Sequence, residues 1–178
     1  LILDTRTNDV NVAAEWSNPR GMMRLAYDGS WFDNHAGTLI WDNPLRVTDQ
    51  TYPGAYSAGD GSSQGRMTMW PDSTAHTVSA TGSMALPARS RAFASVSVGQ
   101  WLQNEPLVPH TINSAIEPIP LPRDSAEAKA VITSMNYRLT SRPSPSLWLS
   151  GQYRLYDYDN QTPHFPVDQY VRVDSGAA

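Results

Sequence analysis

The stretch that decides the fold is Val10-Asn11-Val12-Ala13-Ala14-Glu15-Trp16-Ser17-Asn18-Pro19-Arg20-Gly21-Met22-Met23-Arg24-Leu25-Ala26-Tyr27-Asp28-Gly29-Ser30-Trp31. Val10, Val12, Ala14 and Trp16 share one parity, and Asn11, Ala13, Glu15 and Ser17 share the other. In an extended chain successive side chains point to opposite faces, so alternation at a period of two marks a strand with one apolar and one polar side. Asn18-Pro19-Arg20-Gly21 then supplies turn-forming residues. Beyond it Met23, Leu25, Tyr27, Gly29 and Trp31 oppose Met22, Arg24, Ala26, Asp28 and Ser30, which predicts the returning arm of an antiparallel hairpin.

The same pattern recurs twice. Val78, Ala80, Gly82, Met84 and Leu86 alternate with Thr77, Ser79, Thr81 and Ser83, turn at 87–90, and return as Ala92, Ala94, Val96 and Val98. Val131, Thr133, Met135, Tyr137 and Leu139 alternate with Ile132, Ser134, Asn136 and Arg138, turn at 141–145, and return as Leu147, Leu149, Gly151, Tyr153 and Leu155. A seventh strand is expected to begin near Val167. Helical periodicity is nearly absent, and Pro, Gly, Ser and Asn interrupt the chain too often for long helices.

The connections sort by length. Short turns near 18–21, 87–90 and 141–145 alternate with long polar links near 33–73, 103–125 and 157–166. Short turns on one side and long loops on the other, joining strands of alternating polarity, are the signature of an up-and-down membrane barrel. A Greek-key sandwich has no cause to sort its links this way. The whole chain, 1–178, therefore reads as a single all-β segment: about six to seven antiparallel transmembrane strands of a larger barrel. Six strands are fewer than the eight of the smallest such barrels, and open edges are not tolerated in lipid. The remainder of the barrel must come from elsewhere.

Composition narrows the function. The sequence has no cysteine, which excludes disulfides, thiolate metal sites, a thiol nucleophile and covalent c-type haem attachment. A net charge of -4, with one lysine among thirteen basic residues, leaves no basic footprint for nucleic acid. No apolar run approaches the ~18 residues of a spanning helix. The start, Leu1-Ile2-Leu3-Asp4, reads as a mature or internal one without a signal peptide.

The polar rows hold Ser, Thr, Asn, Gln and Arg rather than the Lys and Glu of a bulk-solvent surface, which suits a crowded lumen. We assign Arg24, Asp28, Asn136, Arg138, Gln152 and Arg154 to that lumen, with Arg24 and Asp28 as a charge pair. Met23, Leu25, Val96, Val98, Leu147 and Leu149 are assigned to outer-membrane lipid. Trp16, Trp31, Trp101, Tyr137 and Tyr153 are candidates for interfacial girdles, with ordinary cross-strand packing as the plain alternative.

Chemical motifs are weak. Asp157, Asp159 and Asn160 form an oxygen-rich cluster that could ligate Ca²⁺, but the glycine and terminal glutamate of a calcium loop are missing, and turn chemistry is the simpler reading. His35, His76, His110 and His164 read as solvated loop histidines without metal-ligand spacing. Asn160-Gln161-Thr162 matches a glycosylation sequon by chance. The segment around Ser62-Ser63 does not form a nucleophile elbow. No catalytic constellation is evident, and the chain is not expected to be an enzyme.

Tyr27-Asp28-Gly29-Ser30-Trp31-Phe32-Asp33-Asn34, Leu39-Ile40-Trp41-Asp42-Asn43-Pro44, Leu86-Pro87-Ala88-Arg89-Ser90-Arg91, the stretch from Gln103-Asn104 to Pro109, and Tyr153-Arg154-Leu155-Tyr156-Asp157-Tyr158-Asp159-Asn160 together resemble the MtrB/PioB family of decahaem-associated outer-membrane β-barrels. That resemblance implies a bacterial outer-membrane barrel of more than twenty strands. It would sheathe a periplasmic multihaem c-type cytochrome, with an extracellular multihaem cytochrome as a further partner, and carry no cofactor of its own. This chain departs from the whole-family pattern in lacking most of the strands. Two other readings compete: a passive porin or transporter barrel without a cytochrome, and a secreted β-sandwich carbohydrate-binding module presenting Trp41, Trp70 and Trp101. The last requires Leu147, Leu149 and Leu155 to lie in a protein core.

Overall fold

The computed structural model describes residues 3–44, 48–49, 63–115, 117–118 and 120–166. Six long strands form one sheet: β1 (Thr5–Asn18), β2 (Gly21–Asn34), β5 (Ser73–Leu86), β6 (Ser90–Gln103), β7 (Ala128–Ser144) and β8 (Leu147–Asn160). Their spatial order is their sequence order, β1-β2-β5-β6-β7-β8, and every pairing is antiparallel. The sheet does not close on itself, as expected of part of a barrel. Two short strands, β3 (Thr38–Asp42) and β4 (Gln64–Thr68), pair with each other in the β2–β5 connection. The expected seventh strand near Val167 lies outside the described residues.

Tight connections join β1 to β2, β5 to β6 and β7 to β8, all at one end of the sheet. The first is fixed locally: the Asn18 side-chain carbonyl accepts from the backbone N–H of Arg20 at 2.8 Å and of Gly21 at 2.9 Å. The second is a tighter device. Ser90 N–H donates to Pro87 O at 3.2 Å while Ala88 and Arg89 both have positive φ, 57° and 51°. Two left-handed central residues give the turn the twist that a two-stranded ribbon needs.

Three expected boundaries are corrected. Residues 141–145 are not simply a turn, since β7 continues to Ser144 with a register irregularity between Ser141 and Ser144. The serines and Arg142 tolerate an extended chain, and the bend falls on the proline at 145, which cannot donate to a ladder. The link at 33–73 is not all loop: β2 reaches Asn34, β5 starts at Ser73, and the β3–β4 hairpin occupies part of the span. Similarly β8 runs to Asn160, so 157–160 is strand, held by pairing with β7 from Ala130 to Thr133. Tyr158, on the same segment, keeps the alternation going where loop chemistry was expected.

The sheet is a single layer. Among the described residues the buried hydrophobic side chains are Ala26 and Ala130, with 9% and 7% of their surface accessible. Leu147, Leu149 and Leu155 are 46%, 51% and 38% exposed, which removes the β-sandwich reading that needed them in a core. The accessible surface is 12650 Å² for a 19.6 kDa chain, whereas a compact monomer of that mass exposes about 8,600 Å². An apolar sheet face left uncovered over this extent requires an environment other than water.

Candidate functional site

Register turns the alternating rows into two continuous faces. Ala14, Leu25, Ala80, Val96, Met135 and Leu155 are joined pairwise across all six strands, and so are Val12, Tyr27, Val78, Val98 and Thr133 across the first five. All of these side chains share one parity, as do Met23, Leu147 and Leu149. The residues assigned from sequence to lipid therefore fall on one side of the sheet.

The opposite side carries the polar rows. Glu15, Arg24, Thr81, Ser95, Asn136 and Arg154 form one, and Ser17, Met22, Ser83, Phe93, Arg138 and Gln152 form the next. Asp28 lies on this face too, opposite Asn11 and Thr77. All six residues assigned to the lumen thus share a face. The Arg24–Asp28 pair does not form. Four residues along a strand separate them by about 13 Å, and Asp28 instead accepts a hydrogen bond from the Asn11 amide, while Glu15 sits across from Arg24. Gln152 donates to Asn136 at 3.2 Å, and the Thr81 and Ser95 hydroxyls meet at 3.2 Å. Small hydroxyl and amide groups here satisfy one another along the wall, as a crowded polar surface requires.

The apolar band drifts as it crosses the sheet. Its centre lies near Ala13 on β1 but near Gly151 on β8, a displacement of roughly one residue per strand toward the tight-turn end when followed along the ladders. With about 3.4 Å per residue and about 4.8 Å between strands, that drift is a strand tilt of about 35°. Membrane barrels tilt their strands by ≈ 35–45°. A band that is level in a membrane must run obliquely across tilted strands. Asp157, on the apolar parity of β8 and across from Thr133, lies beyond the long-loop edge of the band so followed.

Trp16 marks the tight-turn border on β1, while in the same ladder row Tyr137 and Tyr153, their rings 6.3 Å apart and 27° from parallel, lie within the obliquely running band. At the other border the Tyr27 hydroxyl and His76 Nδ1 are 2.8 Å apart, and Trp31 meets the His76 ring edge-on at 5.4 Å. Gly29 leaves the space that the Tyr27 and Trp31 rings fill. Two assignments change. His76 is a strand residue in this cluster rather than a loop histidine, and Trp101 stands on the polar face, between Ala75 and Ala130. Counting parity from Val78 and from Val98 would have placed both.

The acidic cluster does not converge. Asp157 and Asp159 share one side of β8 and Asn160 takes the other, as an extended chain dictates. Asp159 accepts from Gln161 at 2.7 Å, and Asn160 Oδ1 accepts from Thr162 N–H at 3.1 Å, a local turn. Among the described residues no group of three His, Asp or Glu side chains is arranged to hold a metal.

The long-loop end contains a feature that sequence did not suggest. Asp49 accepts from the backbone N–H and hydroxyl of Ser63 at 2.8 and 2.7 Å, and from those of Ser114, both at 2.7 Å. These donors, the Ser114 hydroxyl foremost, hold its carboxyl well below the ordinary value of 3.8. Arg66 of β4 also donates to Pro109 O. The hairpin-bearing connection and the β6–β7 connection are thereby tied together.

A one-layer antiparallel meander with a tilted apolar band and a polar reverse face is a wall of an outer-membrane β-barrel. Comparison with known proteins gives the family. Residues 2–176 match the family model described as outer membrane beta-barrel porin, MtrB/PioB, and the chain belongs to that family of the bacterial outer membrane. It is 26% identical over 171 residues to the outer membrane protein MtrB of Shewanella baltica (strain OS185). That match covers 96% of this chain and 22% of the relative, so the chain spans about a fifth of the relative's length.

Proposed function

We propose that this chain is part of the wall of a wide outer-membrane barrel that sheathes a multihaem c-type cytochrome, so that electrons cross the membrane through a lumen lined by its polar face. The observation that carries the reading is strand density. Six transmembrane strands occupy a length matching 22% of the MtrB relative, and the same density over that relative's whole length is roughly 27 strands, at the upper end of barrel sizes. A barrel of eight strands fills its interior with its own side chains, whereas one of 22 strands encloses a lumen that holds a plug. Side chains such as Ser79, Ser97 and Ser134 on the polar face are far too short to fill such a space, and a separate occupant fits it.

The occupant would bring the redox chemistry. The chain has no cysteine for covalent haem attachment and contributes an insulating wall rather than an electron carrier. No residue is assigned a catalytic role, and the reading is of a scaffold. The test is affinity purification of the full-length barrel from outer membranes in mild detergent, followed by haem staining. A haem-staining protein retained in fixed proportion is the expected result. A barrel that purifies alone and conducts ions as an open pore would replace this reading with a passive porin.

A further inference from the structure

Three arginines of the polar face open onto one cavity of about 520 Å³. Arg138 on β7 lies at its centre. Its ladder neighbours are Phe93 and Gln152, and Arg91 and Arg154 are two residues along from these on β6 and β8. Diagonal neighbours in a sheet lie ≈ 7–8 Å apart at the backbone, within reach of long side chains. Three cations facing one space repel each other unless an anion joins them.

No anion among the described residues does so. Among the described residues neither Arg91, Arg138 nor Arg154 makes an ion pair, the salt bridges being Asp4–His35 and Arg123–Glu127. Asn136, also lining the cavity, has its carbonyl engaged by the Gln152 amide. The lining is thus rich in donors and poor in free acceptors, with Phe93 as an apolar flank. Arg20, Arg89 and Arg142 add further cations toward the tight turns, and a same-sign lining in a confined space raises the local concentration of counter-ions.

We propose that Arg91, Arg138 and Arg154 form a binding site for anions bearing several carboxylates, on the wall of the lumen. Guanidinium groups pair carboxylates through two parallel hydrogen bonds. Here they are spread over three strands, which suits several separated carboxylates better than one compact tetrahedral anion. The carboxylates belong either to a free small acid or to the surface of whatever occupies the lumen. Only the second source rests on the cytochrome reading.

The experiment uses the full-length barrel in detergent, stripped of any lumen partner, and titrates it with citrate by calorimetry at low salt. Citrate binds the wild type, weakens as sodium chloride is added, and binds the R138Q/R154Q variant at least tenfold more weakly, while R138K/R154K recovers part of the loss. Heat-modifiable mobility on gels confirms that each variant is a folded barrel. Wild-type binding of citrate that is absent, or unchanged in R138Q/R154Q, overturns the site. In a second arm the barrel retains its occupant. Exclusion of citrate, with release of the occupant from R138Q/R154Q at lower salt, assigns the carboxylates to the occupant; citrate binding that persists assigns them to a free acid. A barrel that yields no haem protein but still binds citrate through these arginines refutes the sheath and leaves the site standing.

Discussion

Asp49 and Ser114, 65 residues apart in sequence, are joined by two hydrogen bonds of 2.7 Å, from the serine hydroxyl and from its backbone N–H to the same carboxylate oxygen. With Ser63 on the other oxygen, one side chain fastens two long connections beyond the membrane. Asp49→Asn keeps the shape but replaces an acceptor-only group by one with donors facing donors. The expected outcome is faster hydrogen exchange in residues 104–115 with the six-stranded sheet unchanged, read by mass spectrometry.

The same contact sets a pH dependence. Because the bonded carboxyl titrates below its ordinary value of 3.8, the clamp contributes its full stability above that value and loses it as pH falls through the lower folded value. Protection of residues 104–115 is expected to hold from neutrality to about pH 4 and to decline at more acid pH. In Asp49→Asn this acid-dependent step is absent.

The turn at Pro87-Ala88-Arg89-Ser90 is strained by its residues. Ala88 and Arg89 adopt positive φ, which costs L-residues with a Cβ roughly 1–2 kcal/mol each. Ala88→Asn with Arg89→Gly installs the pair preferred in such turns. It is expected to stabilise the full-length barrel by about 1 kcal/mol, measured by urea unfolding in lipid vesicles.

Gly21 begins β2 with its Cα against a neighbouring backbone: an added Cβ would lie 2.6 Å from Ser83 O. A main-chain atom in a paired ladder cannot swing aside as a flexible side chain does. Gly21→Val is expected to cost about 1–3 kcal/mol through forced backbone shifts. It lowers folding yield into vesicles, while Gly151→Val, where no heavy atom lies near the added Cβ, leaves the yield close to wild type.

The two faces predict opposite responses to charge. Leu25→Arg, central in the apolar band, is expected to destabilise by roughly 2–4 kcal/mol, and Ser79→Arg on the reverse face by much less. Equality of the two in urea titrations would remove the assignment of faces. The tilt adds a depth test with spin labels at Val12 and Asp157, which share a ladder row: Val12 reads in hydrocarbon, and position 157 about 14 Å closer to the long-loop side.

Much of this wall is readable in the sequence. The parity of Val10, Val12, Ala14 and Trp16 against Glu15 and Ser17 follows from strand geometry alone, and the tight links follow from Asn18-Pro19 and Pro87. Parity would also have shown that Trp101 belongs with the polar row and His76 with the apolar one. The boundaries at 33–34, 141–144 and 157–160 were less legible, because Asp, Asn and Ser favour turns in isolation yet stay extended when a neighbouring strand saturates their backbone.

Sequence by itself determined which side chains share a strand face, since alternation is a local property of an extended chain, and the family resemblance followed from the same segments. Tertiary structure alone decided which faces adjoin. Register set Arg91, Arg138 and Arg154 around one cavity, gave the apolar band its oblique course, and brought Asp49 to Ser114. Each of these joins segments distant in sequence, the first two through backbone ladders that carry no residue-specific label and the third through a side-chain contact that only the folded loops bring together, and so no local pattern can announce it.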